Sequence, residues 1–499
     1  MTLAGLPALE IRLGGAPLPA AALTSVERVR VRQALSIPTQ CELVLADPRG
    51  TLARDGVAPG TPLEIRAGPA ELPPLFEGEV TAVELAYGPR RNLRLRIRGY
   101  DLLHHLRERL PVRAHAGVSA LELARELTAD LGVEVDAAGP APAWKHRVQH
   151  AQTDLELLAD LAARSGLYLA LRGRTLHLAT LEGLGDALPL AYGESLLEAD
   201  VELNARGTLR TVRGGGWNAR DPAPHTATAT AARSGRTAGA SLSPPSPERI
   251  LPDVAAEVDA HVEGQAQALL DAGAAREVVL RGVASGDPRL RPLAKVEVRG
   301  LAPSLTGAYV LTEVTHTIDA ERGFLSALST APPPLPPRPT GAGMALGVVT
   351  AVDDRTGRVR ARLPAHADVE TDLLPICTLG AGGKKGLTLV PDVGDSVLLL
   401  YTHGDPAESV VLGGLYGADG PPDAGVESGR VQRFSLHSRA GHQVVLDDAR
   451  KTLRLQDPAG SFLELGPDGV HLHAAVPLTL EAPGKGIVIR GDAVDFERK

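Results

Sequence analysis

The sequence predicts a mainly β protein with a minor α+β part. Gly and Pro are abundant, at 54 and 40 residues, while aromatic residues make up only 3% of the 499 positions. This balance favours many short strands and turns over long helices. Short runs that alternate apolar and polar residues recur along the chain, separated by Gly, Pro or Asp, as in strands with one buried face. The length allows about three domains.

Composition also excludes several classes of protein. The net charge of −8 argues against a nucleic-acid binder. No apolar run approaches the length of a membrane span. The opening MTLAGLPALEIRLGG has no basic segment followed by an apolar core, so we expect no signal peptide and synthesis in the cytoplasm. Cys41 and Cys377 lie in different predicted domains, and we expect two reduced, buried thiols.

Residues 1–100 predict a β-barrel or sandwich. Six alternating segments are separated by turn residues, and each offers one apolar face to a core. The predicted strands are Leu9–Leu13, Val26–Val31, Gln40–Leu45, Leu63–Arg66, Gly78–Leu85 and Leu93–Gly99.

Residues 101–199 predict an α+β insert. Two capping boxes, Ser119 with Glu122 and Thr153 with Glu156, begin apolar-faced helices. A glycine follows each helix and is expected to end it. The next predicted element is a hairpin of the strands Leu167–Leu171 and Thr175–Leu178.

A second β region, of barrel type, spans about 200–330. The polar stretch Ala219–Pro247 predicts a loop, and Asp253–Ala272 predicts a helix. Leu63–Arg66 with the following Gly78-Glu-Val80 resembles Val296–Arg299 with the later Gly307 and Val310. Either two related barrels lie in tandem, which in a trimer would give six similar barrels, or two amphipathic hairpins are alike by chance.

Residues 331–341 are rich in proline and predict a semi-rigid linker. Residues 342–418 then predict a small closed barrel of the OB type, because short strands alternate with Gly, Pro and Asp turns. The continuous apolar run Val397–Tyr401 predicts a fully buried strand. The other predicted strands are Leu346–Val349, Val359–Leu363 and Val410–Leu412.

Residues 430–499 predict a ladder of short strands with turn residues between them. Each strand offers two or three apolar side chains on one face, which a single chain could not bury. Three chains wound around one axis would bury it, so we expect an intertwined trimeric β-prism or β-helix. The predicted strands are Phe434–His437, Gln443–Leu446, Thr452–Leu455, Phe462–Leu465, Val470–His473, Leu478–Glu481, Ile487–Arg490 and Val494–Phe496.

Two groups of motifs resemble one family, the VgrG spike proteins of contractile injection systems. The OB segment carries Gly347-Val-Val, Asp354-x-x-Gly-Arg-Val359, Pro391-x-x-Gly-Asp395-x-Val397, Gly404-Asp-Pro406 and Val411-x-Gly-Gly-Leu-Tyr416. The run from Val148 to Tyr168 resembles the same family's tail-hub domain. The resemblance implies a hub over residues 1–330, an OB domain and a short needle over residues 430–499.

The resemblance also implies partners and a mechanical role. It implies a homotrimer that contacts inner tube proteins, baseplate proteins and a PAAR-type tip protein on the needle end. Such a spike belongs to an extracellular injection particle, a phage tail or a type VI-like machine. It would join the inner tube to a puncturing tip and pierce a target membrane.

Four motifs are candidate sites. Gly380–Gly386 lacks the Ser or Thr and the following helix of a phosphate loop, so an inter-strand loop is favoured. His471 and His473 share one strand face and could hold an axial metal in a trimer, but the alternation places Val470 and Leu472 on the apolar face instead. The remaining two motifs are Arg490-Gly-Asp492, expected as a turn, and His104-His105, expected to pack against or cap a helix.

Nothing in the sequence predicts an enzyme or a cofactor. It contains no nucleophile elbow, zinc-protease motif or carboxylate couple. The alternative function is a tail-associated cell-wall hydrolase or carbohydrate-binding protein, although the few aromatic residues disfavour a sugar-binding groove.

Overall fold

The computed structural model describes residues 7–47, 50, 57–89, 93–139, 141–205, 208–218, 223–239, 248–337, 341–418, 420–495 and 497. Of the described residues, 46% lie in strands and 13% in helices, so the predicted mainly β class is confirmed. The chain forms two compact units, Met1–Gly414 and Leu415–Lys499, which are described separately.

The first β region follows the predicted alternation closely. Inward positions such as Val29, Leu43 and Ile97 are completely buried, as expected for strands with one face on a core. The elements are β1 (Leu9–Leu13), β2 (Ala16–Pro17), α1 (Ala20–Leu23), β3 (Val26–Ala34), β4 (Gln40–Ala46), β5 (Pro62–Ala67), β6 (Phe76–Tyr87) and β7 (Leu93–Tyr100).

The insert packs its helices and a small sheet around a separate core. Both predicted capping boxes form, with each Ser or Thr side chain bonded to the backbone N–H three residues on and each Glu bonded back. Gly132 and Gly166 follow the helical segments at φ 60° and 68°, a conformation that glycine adopts without strain. The elements are α2 (His104–Glu108), β8 (Arg113–Val118), α3 (Ala120–Thr128), β9 (Glu134–Ala137), β10 (Trp144–Gln149), α4 (Asp154–Ala163), β11 (Tyr168–Arg172) and β12 (Thr175–Ala179).

The second β region corrects two predictions. The predicted loop Ala219–Pro247 contains a strand, and its residues 219–222 and 240–247 lie outside the described residues. The predicted helix Asp253–Ala272 begins later, because pairing with a neighbouring strand takes the residues up to Ala255. The elements are β13 (Leu184–Ala191), β14 (Leu196–Leu203), β15 (Thr211–Asn218), β16 (Ala223–Ala229), β17 (Glu248–Ala255), α5 (Asp259–Glu277), β18 (Val278–Ser285), β19 (Ala294–Arg299), β20 (Gly307–Val310), β21 (Glu313–Asp319) and β22 (Gly323–Ser329).

One sheet joins the two β regions. Its eleven strands, counted over the described part of the chain, run in the order β14-β18-β22-β21-β3-β4-β7-β6-β5-β1-β2. The regions meet where β21 pairs antiparallel with β3, from Glu313 opposite Ala34 to Asp319 opposite Arg28. The segments of the suggested repeat form antiparallel pairs in both regions, β5 with β6 and β19 with β20. Their outer neighbours differ, since β19 pairs parallel with β13 and β5 pairs antiparallel with β1, so the repeat stays a prediction.

The OB segment is a five-stranded sheet that closes on itself. Its order is β25-β24-β23-β26-β27, and isolated bridges join Leu374 to Val359 and Ile376 to Val411, which links the two edges. The prediction of a fully buried strand at Val397–Tyr401 was wrong, because a barrel strand buries one face and only alternate residues reach the core. The elements are β23 (Ala342–Val352), β24 (Val359–Leu363), β25 (Val369–Glu370), β26 (Ser396–Thr402) and β27 (Ser409–Gly414).

The second unit contains a small hairpin followed by an antiparallel meander. Five of the predicted strands form, and they pair in sequence order from β30 to β34. The elements are β28 (Val426–Glu427), β29 (Arg430–Val431), β30 (Arg433–His437), β31 (Gln443–Asp447), β32 (Thr452–Gln456), β33 (Phe462–Gly466) and β34 (Gly469–His473).

The last three predicted strands are not found in the single chain. Leu478–Glu481, Ile487–Arg490 and the described part of Val494–Phe496 have no strand pairing, and Phe496 itself lies outside the described residues. A strand forms only beside a partner, and in one chain the pairing ends at β34. The single chain is a meander rather than a β-helix, so the intertwined β-prism or β-helix stays a prediction.

Two smaller findings complete the fold. Cys41 is buried as predicted, but Cys377 is exposed, so the prediction of two buried thiols was wrong. Cys377 directly follows Ile376, which is bridged to Val411, and its own N–H donates to the Val411 carbonyl oxygen at 2.8 Å. No helix in the described ranges is long and apolar enough to cross a bilayer.

Candidate functional site: a charged junction and an exposed apolar sheet face

A buried ion pair joins the insert to the OB barrel. Arg147 lies on β10, and Asp405 and Glu408 lie at the turn between β26 and β27. The Arg147 Nε atom is 3.0 Å from Asp405 Oδ2, and its Nη1 atom is 3.6 Å from Glu408 Oε1. All three side chains are less than a tenth exposed. Charges removed from water in this way need close partners, so this junction is held by specific geometry.

The turn at Asp405 is itself anchored to the insert. Asp405 Oδ1 accepts the backbone N–H of Ala407 at 2.8 Å, which caps a 3₁₀ turn, and the N–H of Val148 at 3.2 Å. The ring of His150 also lies against this turn, with Nε2 2.9 Å from the carbonyl oxygen of Gly404. The Gly404-Asp405-Pro406 motif therefore makes a turn and also a contact between regions.

Aromatic rings support the arginine from the insert side. The guanidinium carbon of Arg147 lies 4.9 Å from the centre of the Trp144 ring, within the range of a cation–π contact. Trp144 also stacks on the ring of His261 of α5, at a centroid distance of 3.8 Å and an angle of 5°. Side chains from β10, α5 and the OB turn thus all contribute to the junction.

The charges at the junction reinforce one another. Burial disfavours the charged form of Arg147, but the carboxylates of Asp405 and Glu408 outweigh it and raise the pKa of the guanidinium above its usual range. Burial alone would raise the pKa of Glu408, but His403 and Arg147 lower it below its usual range. The Glu408 carboxylate in turn raises the pKa of His403. The arrangement holds three elements together, and the Thr402 hydroxyl adds a hydrogen bond of 2.9 Å to Nδ1 of His403.

The meander of the second unit presents an apolar face. Directly opposed pairs such as Leu446 with Leu453 and Leu463 with Leu472 lie on one side of the sheet. No residue of this face is buried, and Val470 is 71% exposed. We call these residues the apolar sheet face: Phe434, Leu436, Val444, Leu446, Leu453, Leu455, Leu463, Leu465, Val470 and Leu472.

The candidate pair His471 and His473 lies on the other side of this sheet. His471 is opposite Glu464 and His473 is opposite Phe462, whose ring contacts both imidazoles. The two imidazole centres are 6.2 Å apart. The alternation inferred from the sequence is thus present in the strand, while a metal at these histidines stays a prediction.

The glycine-rich motif Gly380–Gly386 and the Arg490-Gly-Asp492 motif show no site geometry. Gly380–Gly386 forms a tight turn in which Gly382 and Lys385 exchange two backbone hydrogen bonds of 3.1 Å, and the next regular element is the strand β26. Because no helix follows it, the turn lacks the N–H groups of a phosphate loop. Arg490-Gly-Asp492 lies in an exposed segment without strands, so the expected turn between two strands is not formed there.

Sequence reasoning missed the partners of two motifs. It predicted a turn at Asp405 but not the contact of Asp405 with Arg147. It placed His104-His105 at the start of a helix but did not predict their contact with Glu79. Arg147 comes from a strand of a different sheet, so packing between sheets brings it close to Asp405, whereas the pairing of β6 with β7 brings Glu79 close to the two histidines. The acidic residue Asp405 in the Gly404-Asp405-Pro406 turn was the local signal that could have indicated a basic partner.

Family models match both main parts of the first unit. The type VI secretion system/phage-baseplate injector OB domain matches residues 345–416. The Alg8 N-terminal domain matches residues 4–320, which is more than half of the chain. No curated protein matches this sequence.

Several solved structures share the fold. The E. coli c3393 protein, a component of the type VI secretion system with structural similarity to the T4 bacteriophage tail proteins gp27 and gp5, aligns with a TM-score of 0.55 at 14% identity, over 81% of this chain and 99% of its own. A Francisella PdpA-VgrG complex aligns with a TM-score of 0.54 at 8% identity, over 93% of this chain and 79% of its own. The 43 kDa tail protein of prophage MuSo2 from Shewanella oneidensis aligns with a TM-score of 0.50 at 12% identity, over 64% of this chain and 97% of its own.

The fold is VgrG-like, and the matched OB domain is of the type VI secretion system/phage-baseplate injector kind, which confirms the resemblance inferred from the sequence. More particularly, the chain belongs to the family of the Alg8 N-terminal domain.

Proposed function

We propose that the chain is a homotrimeric hub and spike that joins the inner tube of a contractile injection machine to its puncturing tip and pierces a target membrane. The observation that carries this proposal is the apolar sheet face. Burying a Leu or Val side chain contributes about 1.5–3 kcal/mol, and monomeric proteins rarely leave a continuous apolar surface in water. Two further copies of the same face would cover it around a three-fold axis.

The proposed domains follow the predicted boundaries. Residues 1–330 act as the hub, with β regions at 1–100 and about 200–330 and the insert at 101–199. A linker at 331–341 leads to the OB domain at 342–418, and residues 430–499 form the needle. The ion pair of Arg147 with Asp405 would keep the OB domain fixed to the hub under load, because breaking it leaves a buried charge without a partner.

The proposed partners are inner tube proteins above the hub, baseplate proteins around it and a PAAR-type tip protein on the needle end. The Francisella neighbour is a VgrG in complex with PdpA, which supports a partner at the spike. The protein would be made in the cytoplasm and assembled into a particle that acts outside the cell. Its work is mechanical, and the matched relatives are structural tail and spike proteins.

The mass of the purified protein in solution tests this function. Light scattering at micromolar concentration should give three times the mass of the 499-residue chain. A stable monomer under these conditions would overturn the trimeric spike, since nothing would then cover the apolar sheet face. Turnover of peptidoglycan by the same preparation would instead favour a cell-wall hydrolase.

A further inference from the structure

We propose that Glu79, His104 and His105 form a binding site for a divalent first-row transition metal ion. Within the described ranges, the Nε2 atoms of both histidines converge on one carboxylate oxygen, each 2.9 Å from Glu79 Oε1. Two imidazoles and a carboxylate are a donor set that Zn²⁺ and related ions accept. The site lies in the first unit and shares no residue with the junction.

The hydrogen bonding of His104 shows why a cation is needed. Its Nδ1 atom is 2.8 Å from the backbone carbonyl oxygen of Asp101, which can only accept, so Nδ1 carries the proton. A neutral ring then points the Nε2 lone pair at the Glu79 carboxylate, which places two acceptors 2.9 Å apart. Only a second proton or a metal ion makes that contact favourable. His104 is 3% exposed, and a ring N–H bonded to a backbone carbonyl is the usual support of a metal-bound histidine.

The strands hold Glu79 close to the start of α2. Glu79 on β6 is opposite Tyr100 on β7, and the register shifts just beyond it, between Val80 and Ala82. A Cβ atom on Gly78 would lie 2.1 Å from the carbonyl oxygen of Tyr100, so glycine is required for this approach. A shift of register beside a site is a common way to aim a side chain.

The turn into α2 is also fixed. Asp101 is buried, and its carboxylate accepts the backbone N–H of Leu103 at 3.1 Å and that of Thr39 at 2.7 Å. The two histidines therefore follow a rigid turn, and their ring centres are 4.1 Å apart. Rigid supports of this kind favour a preorganised ligand set.

The geometry leaves room for water on the ion. The side chains of Glu79 and His105 are 22% and 33% exposed, so one side of the site is open. With metal–ligand bonds of about 2.1 Å, a separation of 2.9 Å corresponds to an angle of about 90° at the ion. That angle between Glu79 and each histidine suits an octahedral ion whose remaining positions are filled by water. The ion would tie β6 to α2 at the border between the first β region and the insert.

The test uses the full chain, stripped with chelator, and titrates it with Zn²⁺ by calorimetry and with Co²⁺ by visible absorption. We expect one ion per chain at this site, with binding weakened at least about tenfold in His105→Ala and in Glu79→Gln. His177→Ala is the matched control, because His177 pairs with the single carboxylate of Asp136 at 2.9 Å, and it should bind as the parent does.

The variant His471→Ala/His473→Ala removes the other histidine pair and should keep this site. Metal bound to the parent but lost only from that double variant would overturn the proposal. Equal binding by the parent, His105→Ala and Glu79→Gln would overturn it too. Absence of binding in all of them would overturn it as well.

Discussion

Arg147 and Asp405 form a buried ion pair, with Nε and Oδ2 3.0 Å apart, between the insert and the OB barrel. Removing the arginine in Arg147→Ala leaves two carboxylates in a site shielded from water. We expect the free energy of unfolding to fall by about 3–5 kcal/mol. Denaturant unfolding of the full chain measures it.

The matched control for Arg147 is an exposed arginine with one partner. Arg281 lies 2.9 Å from Glu202, and both side chains are about half exposed. Arg281→Ala should cost about 1 kcal/mol at most, because water screens and solvates the pair. Equal costs for the two variants would mean that the buried pair does not hold the junction.

The close approach of β6 to the end of β7 gives a second prediction. A Cβ atom on Gly78 would lie 2.1 Å from the Tyr100 carbonyl oxygen, a backbone atom that cannot turn away. Gly78→Ala should therefore lower the free energy of unfolding by about 2–4 kcal/mol. Gly215→Ala is the control, since no atom lies within 4 Å of its Cβ position, and it should stay within about 0.5 kcal/mol of the parent. Similar unfolding curves for both variants would contradict the strand register.

Local signals in the sequence predicted local structure well. Ser119 and Glu122 meet through their own helix turn, so the capping box could be predicted from spacing alone. The alternation in β31 to β34 likewise predicted which residues share the apolar sheet face. What failed was structure that depends on distant partners. The strand Leu478–Glu481 needs a neighbour that one chain does not supply. The pair of Arg147 with Asp405 depends on packing between two separate sheets, and that of His104 with Glu79 depends on the register of β6 against β7.

Burial of His316 gives a prediction about pH. This residue is completely buried, and burial lowers its pKa to about 4, with the nearby charge of Arg291 acting in the same direction. The hydrogen bond to the Leu290 carbonyl and the Asp287 carboxylate act to raise it. The unfolded chain, with a histidine pKa of about 6.5, binds the proton more readily than the folded one. Stability is therefore fully present above about pH 6.5 and is lost as the pH falls toward 4, by about 3 kcal/mol for this group.

The variant His316→Gln tests whether this histidine causes the loss of stability as the pH falls. Its free energy of unfolding should depend less on pH between about 6.5 and 4, although it should be lower than that of the parent at neutral pH. Part of the slope should remain, because the pKa of His261 is also lowered to about 4 by burial. Unfolding measured at several pH values gives both curves. Parallel curves for parent and variant would show that His316 does not carry the effect.

The last prediction rests on the proposed trimer and compares neighbouring residues of β34. Leu472 lies opposite Leu463 on the apolar sheet face, whereas His471 lies opposite Glu464 on the polar side. Leu472→Asp would bring three carboxylates into one apolar column, where desolvation and repulsion cost several kcal/mol, about 3 or more. The yield of trimer, measured by light scattering, should drop sharply for Leu472→Asp and little for His471→Asp. If His471→Asp is the damaging change and metal analysis finds about one ion per three chains, the polar side faces the axis, and His471 and His473 hold that ion.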